Sequence, residues 1–194
     1  PAIAYLEDNY PRYLREIQEL LSIPSISSDE NHTADVQKAA QWIARRLSQA
    51  RIEQIEVIQT EGHPIVFAKS LQAGASAPTV LLYGHYDVQS PEPLSGWKTK
   101  PFEPTIIEDS LYARGATDMK GALMVSVAAL EALNQDGNLP INIKFVLEGE
   151  EEIGSRHLGA FVNAHIDSLS CDYILSLHVG ELPSRHTPVI AYSL

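Results

Sequence analysis

The sequence is poor in cysteine, in long apolar stretches and in basic residues, and each shortage excludes a class of protein. Cys171 is the single cysteine among 194 residues, so no disulfide can form within the chain, and a reducing, cytoplasmic location is expected. No apolar run reaches the roughly 18 residues that a membrane-spanning helix requires. The first residues also lack the charged-then-apolar pattern of a secretory signal. We therefore expect no membrane partner.

The shortage of basic residues leaves the chain strongly acidic. Lysine and arginine number 14 against 25 aspartates and glutamates, for a net charge of −11. Such a chain has no basic stripe to offer phosphate, so no nucleic-acid partner is expected. The length permits one sizeable hydrophobic core. An excess of carboxylates suits a protein that gathers them around a divalent cation.

Helical and strand patterns alternate along the chain. Apolar residues at steps of three and four predict amphipathic helices, and Pro11 is expected in a first turn or at a kink. Short apolar runs indicate buried strands. This alternation predicts an α/β fold of three layers, with a mostly parallel or mixed sheet covered by helices on both faces. The expected helices are Ala2–Leu21, Thr33–Ala50, Asp118–Gln135 and Ser155–His165, and the expected strands are Arg51–Gln59, Ile65–Lys69, Thr79–Tyr83, Ile141–Leu147, Tyr173–Leu177 and Pro188–Tyr192.

Polar side chains follow three of the predicted strands, where His85, the run Glu148–Glu152 and His178 stand. Ligands of open α/β sheets bind outside the carboxyl ends of the strands, so we expect these side chains to converge. Asp87 is placed to accept the second ring N–H of His85, an arrangement common among metal-bound histidines. The structural alternatives are a turn with an aspartate cap at Asp87 and a histidine that caps a strand at His178.

The acidic run sets four carboxylates within five residues, at Glu148, Glu150, Glu151 and Glu152. Packing acids at a strand end costs repulsion and desolvation, which a bound cation would offset. Adjacent carboxylates can then divide the work, one holding the metal and one moving protons. A solvated acidic turn is the alternative interpretation.

Asp118 precedes a predicted helix, where an aspartate is a good N-cap. The nearby glycines Gly115 and Gly121 indicate a close approach of the backbone. Lys120 is interpreted as a surface or capping charge. Two histidines with two or three carboxylates form a ligand set that suits zinc. The remaining histidines are interpreted as ordinary surface residues: His32, His63, His157, His165 and His186.

Several stretches together resemble a known family. In chain order they are Ile23-Pro24-Ser25-Ile26-Ser27, Gly84-His85-Tyr86-Asp87-Val88-Gln89, Gly96-Trp97 with Pro101-Phe102-Glu103-Pro104, Leu111-Tyr112-Ala113-Arg114-Gly115-Ala116-Thr117-Asp118-Met119-Lys120-Gly121, and Glu148-Gly149-Glu150-Glu151-Glu152-Ile153-Gly154-Ser155. They resemble the dinuclear zinc aminoacylase/carboxypeptidase superfamily, and most of all its carnosinase-like and cytosolic nonspecific dipeptidase branch.

The resemblance implies a role for each candidate residue. Two zinc ions per complete site are implied, with Mn²⁺ or Co²⁺ as other possible metals. His85 and His178 would bind the first zinc, Glu152 the second, and Asp118 would bridge both, before a peptide bond that is typically cis in the family. Glu151 would be the general base, and Asp87 would orient His85.

Two departures from the family pattern leave alternatives open. The dipeptidase branch usually carries aspartate at the position of His178, and histidine there is more similar to the N-carbamoyl and ureido amidohydrolase branch. Family members are also longer, with an inserted lid or dimerisation domain and a C-terminal catalytic portion that supplies another zinc histidine. Residues 1–194 are therefore expected to be the N-terminal part of a catalytic domain, in a full-length protein that forms a homodimer through the lid.

The resulting expectation is metal-dependent hydrolysis of the amide bond in dipeptides or short peptides, with the fragment inactive by itself. The alternative enzyme is an N-carbamoyl or N-acyl amino-acid amidohydrolase, so the partner is a small peptide or an N-acyl amino acid. Two other classes stay open: a metal-binding fragment without catalysis, and a structural interaction module.

Overall fold

The computed structural model describes residues 1–137 and 139–178, so the predicted strand Pro188–Tyr192 and His186 lie outside the described residues. Within this part no helix is both long and apolar enough to cross a bilayer. The helices are α1 (Ala2–Leu21), α2 (Thr33–Gln49), α3 (Lys120–Leu133), α4 (Leu158–Ala164) and α5 (Ile166–Leu169). The strands are β1 (Gln54–Ile58), β2 (Ile65–Ser70), β3 (Thr79–His85), β4 (Thr105–Ile107), β5 (Ser110–Tyr112), β6 (Asn142–Glu148) and β7 (Tyr173–Ser176), and short 3-10 helices cover Glu30–His32, Leu94–Gly96 and Glu151–Ile153.

A mixed five-stranded sheet of order β1-β2-β6-β3-β7 organises the described chain. β2 pairs antiparallel with both β1 and β6, whereas β3 runs parallel to both β6 and β7. The parallel register sets His85 opposite Glu148, each the last residue of its strand. Because β3, β6 and β7 point the same way, their carboxyl ends meet at one edge of the sheet.

Alternating side chains of the central strands supply two hydrophobic clusters, one on each face of the sheet. Val66 and Phe145 join the larger cluster beneath α1, α2 and α3, while their neighbours Phe67 and Val146 join the smaller cluster beneath α4. Every residue of β6 is buried, as expected for a strand covered on both sides. The predicted three-layer α/β architecture is therefore confirmed.

Two local features differ from the sequence-based expectation. α1 runs from Ala2 to Leu21 with Pro11 in its interior, so of the two positions predicted for Pro11, a first turn or a kink, the first turn was wrong. A small antiparallel hairpin of β4 and β5 pairs Ile106 with Leu111, and no pattern in the sequence had indicated it. The hairpin is short, and its strands carry only three residues each, too few for a clear alternation.

Candidate metal centre

The carboxyl ends of the parallel strands bring the predicted side chains together. His85 ends β3, and Glu148 ends β6 directly beside it. His178 stands two residues beyond β7, whose path is extended by a hydrogen bond from the Leu177 amide to the Tyr83 carbonyl at 2.8 Å. The predicted convergence at this edge is therefore observed for residues that are far apart in the chain.

Asp118 approaches the same point from the loop before α3. Its Oδ1 lies 3.1 Å from Nε2 of His85, and the Asp118–Met119 peptide bond is cis. Met119 is fully buried, and its Sδ accepts a hydrogen bond from the backbone amide of His85 at 3.1 Å. Gly84 makes this contact possible, because a Cβ there would stand 2.6 Å from Cε of Met119. Asp118 does not cap α3, for which no side-chain cap is formed.

His178 completes a cluster of three ligand-bearing residues around Asp118. Its Nε2 lies 3.3 Å from Oδ1 of Asp118, and its ring centroid is 5.8 Å from that of His85. The donor atoms of His85, Asp118 and His178 all lie within 4.8 Å of one another. His85 is almost entirely buried, whereas Asp118 and His178 are about half exposed, so the cluster has one buried wall and one open side.

Glu151 and Glu152 enter from the 3-10 helix that follows β6. With His85 they form a second group whose donor atoms lie within 4.8 Å of one another. Oε2 of Glu151 is 3.9 Å from Nε2 of His85, and Oε2 of Glu152 accepts a hydrogen bond from Gln89 at 2.8 Å. The two groups share His85, so the five residues predicted to bind metal or transfer protons lie at the same edge of the sheet.

Asp87 contacts both His85 and the turn that carries Glu151 and Glu152. Its Oδ1 lies 3.3 Å from Nδ1 of His85, and its carboxylate accepts the backbone amides of Glu151 at 3.2 Å and Glu152 at 3.1 Å. Asp87 is fully buried, and Ser27 donates its hydroxyl to Oδ2 at 2.5 Å. Sequence reasoning placed Asp87 beside His85 but missed Ser27 and the two amide contacts.

The electrostatics of the centre favour positive charge. Burial, the largest influence, lowers the pKa of His85, but the hydrogen bond and charge of Asp87 and the charges of Glu151 and Asp118 raise it overall, to about 9. Burial raises the pKa of Glu152, and the nearby Asp118 charge adds to this although the Gln89 hydrogen bond opposes it. The charges of Asp87, Glu151 and Asp118 therefore favour the protonated, positively charged form of His85.

The donor geometry fits a metal ion. Nδ1 of His85 faces two acceptors of Asp87, the backbone oxygen at 3.2 Å and the carboxylate, so a neutral ring carries its proton there. Nε2 then turns its lone pair toward the Asp118 carboxylate at 3.1 Å, a contact between two acceptors that requires a cation or a second proton. Ligands at about 2.0–2.1 Å from a tetrahedral zinc lie roughly 3.3 Å apart, close to the observed separations of 3.1 and 3.3 Å.

The other two acids of the run are buried supports rather than members of the cluster. Glu148 accepts hydrogen bonds from Tyr83 at 2.5 Å and Ser155 at 2.9 Å, and burial raises its pKa. Glu150 accepts the backbone amides of His63 and His157, both at 3.1 Å. Together they hold the turn that carries Glu151 and Glu152.

The contacts of His63 and His157 correct their interpretation as surface residues. His157 donates through Nδ1 to Glu150 at 2.8 Å, and His63 through Nε2 to the Ser27 carbonyl at 3.0 Å, and both rings are half buried. Lys120 is fully buried, and its Nζ donates to the carbonyls of Leu20 and Ile23. Of the two roles predicted for Lys120, its burial excludes a surface charge and its contacts fit a capping charge. Burial lowers the pKa of Lys120 to about 7.

Fold and site together define an α/β protein with a cluster of side chains that could hold a metal ion at the carboxyl ends of its parallel strands. Residues 81–192 match the model of Peptidase family M20/M25/M40. The chain therefore belongs to this peptidase family, whose dipeptidases are metallopeptidases, and the predicted resemblance is confirmed.

Individual relatives agree with this assignment. The chain is 31% identical over 175 residues to a cysteinylglycine-S-conjugate dipeptidase of Corynebacterium striatum, an alignment that covers 87% of this chain and 37% of that protein. It is 44% identical over 117 residues to the Beta-Ala-His dipeptidase of Mus musculus, covering 58% of this chain and 23% of that protein. The crystal structure of the M20 family metallo-carboxypeptidase Sso-CP2 from Sulfolobus solfataricus superposes with a TM-score of 0.78 at 35% identity, covering 87% of this chain and 37% of that one. The chain thus spans well under half the length of these relatives.

Proposed function

We propose that the complete protein hydrolyses the amide bond of dipeptides or short peptides with a water molecule activated at a two-metal site. One observation carries the proposal. In a chain of a peptidase family, two groups of possible metal ligands share His85 at the sheet edge, one with Asp118 and His178 and the other with Glu151 and Glu152. Relatives named as dipeptidases support the dipeptide as substrate.

The donor set supports zinc, with Mn²⁺ or Co²⁺ as other candidates that its mixed nitrogen and oxygen ligands would accept. His85, Asp118, Glu152 and His178 would hold the ions. When bound, such ions lower the pKa of a coordinated water and polarise the carbonyl of the substrate. Asp87 keeps the proton of His85 on Nδ1, which leaves Nε2 free as a ligand.

Glu151 is the proposed general base. Its side chain is about a third exposed, so a substrate water can reach Oε2, while its backbone is fixed by the amide contact with Asp87. Oε2 would take a proton as the water attacks the carbonyl carbon and pass that proton to the leaving amine nitrogen. Glu152 is not suited to this work, because its Oε2 is already held by Gln89.

A second candidate function follows from His178. An imidazole beside Asp118 gives the centre at least one negative charge fewer than a carboxylate there would. Histidine at this position is more similar to the N-carbamoyl and ureido amidohydrolase branch, so the second candidate is an N-carbamoyl or N-acyl amino-acid amidohydrolase. Both reactions cleave an amide by the same route and differ in the group that is attached to the amino-acid nitrogen.

Turnover by the full-length protein separates these functions. Cys-Gly and β-Ala-His should be hydrolysed, N-carbamoyl and N-acetyl amino acids should not, and removal of the metal with a chelator should abolish the activity until zinc is restored. Hydrolysis of the carbamoyl compounds alone would select the second candidate. Activity that survives complete metal removal would refute both.

We also propose that residues 1–194 form the N-terminal part of a catalytic domain whose lid and remaining portion lie elsewhere in the polypeptide, with dimerisation through the lid. The length of the relatives supports this division. Residues 1–194 alone should then bind zinc incompletely and hydrolyse little or no dipeptide. Hydrolysis at the rate of the full-length protein would contradict this.

A further inference from the structure

The carboxylate of Asp87 connects His85 with the turn that carries Glu151 and Glu152. Oδ1 lies within reach of His85 Nδ1 at 3.3 Å and the Glu151 amide at 3.2 Å. Oδ2 accepts from the Glu152 amide at 3.1 Å and from the Ser27 hydroxyl at 2.5 Å. An ionised carboxylate has about four acceptor positions, so these donors account for all of them. Ser27 is the only side-chain hydroxyl in this set.

The position of Ser27 is itself fixed by the loop between α1 and α2. Ile26 forms a parallel bridge with Val88, and the Val88 amide donates to the Ser25 carbonyl at 2.9 Å. On the outer side, Nε2 of His63 donates to the Ser27 carbonyl at 3.0 Å. The loop is therefore docked against the segment that follows His85, and the Ser27 hydroxyl donates to Asp87 from this fixed backbone.

His63 extends this connection to the acidic run. Its backbone amide donates to Glu150 at 3.1 Å, and Glu150 is almost fully buried one residue before Glu151. The path Glu150–His63–Ser27–Asp87 thus closes a ring of hydrogen bonds around the turn of Glu151 and Glu152. The ring therefore adds contacts from distant segments to the backbone hydrogen bonds of the 3-10 helix itself.

We propose that Ser27 is a positioning residue of the metal centre, which orients the Asp87 carboxylate toward His85 and the Glu151–Glu152 amides and is itself held by His63. This inference rests on the proposed metal-dependent function. Residues that orient metal ligands from behind typically change metal affinity or activity by about 10–100-fold when they are mutated.

The test compares Ser27→Ala with Ser25→Ala in the full-length protein. Ser25 is a matched control, because it is buried in the same loop and donates its hydroxyl at 2.7 Å to the Tyr86 carbonyl rather than to Asp87. In metal-free protein, Ser27→Ala should move the amide proton NMR signals of Glu151 and Glu152, whereas Ser25→Ala should leave them in place. In competition with a chromophoric chelator, Ser27→Ala should weaken zinc binding about tenfold or more, and Ser25→Ala should not.

A second variant keeps the inference testable if Ser27→Ala does not fold. His63→Leu removes the ring donor to the Ser27 carbonyl and should move the same two amide signals in the same direction by a smaller amount. Unchanged amide signals, or a loss of zinc affinity equal to that of Ser25→Ala, would overturn the positioning role. A wild-type protein that binds no zinc would refute the proposed function instead, and the amide signals alone would then decide whether Ser27 orients Asp87.

Discussion

Replacement of Asp87 by asparagine tests the centre most directly, because the shape of the side chain is kept while one acceptor becomes a donor. If the new NH₂ group takes the place of Oδ2, it faces the Glu152 amide, which cannot accept, and the Ser27 hydroxyl, which can rotate to accept. If it takes the place of Oδ1, it faces the Glu151 amide and Nδ1 of His85, both donors. The first orientation is therefore favoured and leaves one buried donor opposite another.

The expected loss of stability in Asp87→Asn follows from these contacts. The two opposed buried N–H groups cost at least the roughly 1–3 kcal/mol of one unpaired donor, and the remaining hydrogen bonds lose the strength that an ionised acceptor provides. Removing one negative charge beside Glu148 and Glu151 offsets part of this loss. We expect Asp87→Asn to lower the free energy of unfolding by roughly 2 kcal/mol and zinc affinity by about 10–100-fold.

Urea unfolding followed by circular dichroism measures the free energy of unfolding, and competition with a chelator measures zinc affinity. Asp109→Asn is the control, since Asp109 is exposed in the turn of the β4–β5 hairpin and should change stability by less than about 0.5 kcal/mol. If Asp87→Asn matched this control in both measurements, the Asp87 carboxylate would not hold His85 and the Glu151–Glu152 turn as its contacts indicate.

Three further predictions concern proton transfer, pH and packing. Glu151→Gln should lower kcat about 100-fold or more while zinc affinity stays within a few-fold, as measured by steady-state kinetics and chelator competition; an unchanged kcat would exclude Glu151 as the base. For Glu131, burial raises the pKa, but hydrogen bonds from Arg12 and Arg46 lower it overall, so its stabilising contribution is present above its ordinary pKa and is lost as pH falls through the lowered value. Glu131→Gln should therefore lower the free energy of unfolding by roughly 3 kcal/mol near neutral pH. The variant should also lose less stability than the wild type as the pH falls. Parallel pH profiles of the free energy of unfolding would contradict this ion-pair assignment. Gly149→Ala would place a Cβ 2.7 Å from the Tyr86 hydroxyl and should destabilise the fold by about 1–3 kcal/mol; the control Gly159→Ala, with nothing within 4 Å, should be neutral or slightly stabilising, and equal melting temperatures would show that the turn can relax.

Sequence patterns predicted the fold and the convergence of the centre because both depend on short-range regularities. The apolar runs of β3 and β6 specify buried strands wherever they lie, and the parallel direction of such strands places their last residues at one edge. His85 and Glu148 end neighbouring strands for this reason. The spacing of Asp87 from His85 likewise made their contact predictable, since it joins residues only two positions apart.

The tertiary structure alone decided which polar groups support the centre. Ser27 and Asp87 are separated by 60 residues, and Lys120 lies about a hundred residues from the α1 carbonyl that it caps. Nothing in the local composition distinguishes Ser27 from Ser25, because the difference is the direction in which a loop presents each hydroxyl. His63 was predicted as a surface residue and Lys120 as a surface or capping charge, since a lone imidazole or charge has no periodicity that could reveal a buried partner. Local pattern therefore determined where the candidate ligands lie, and packing between distant segments decided how they are held.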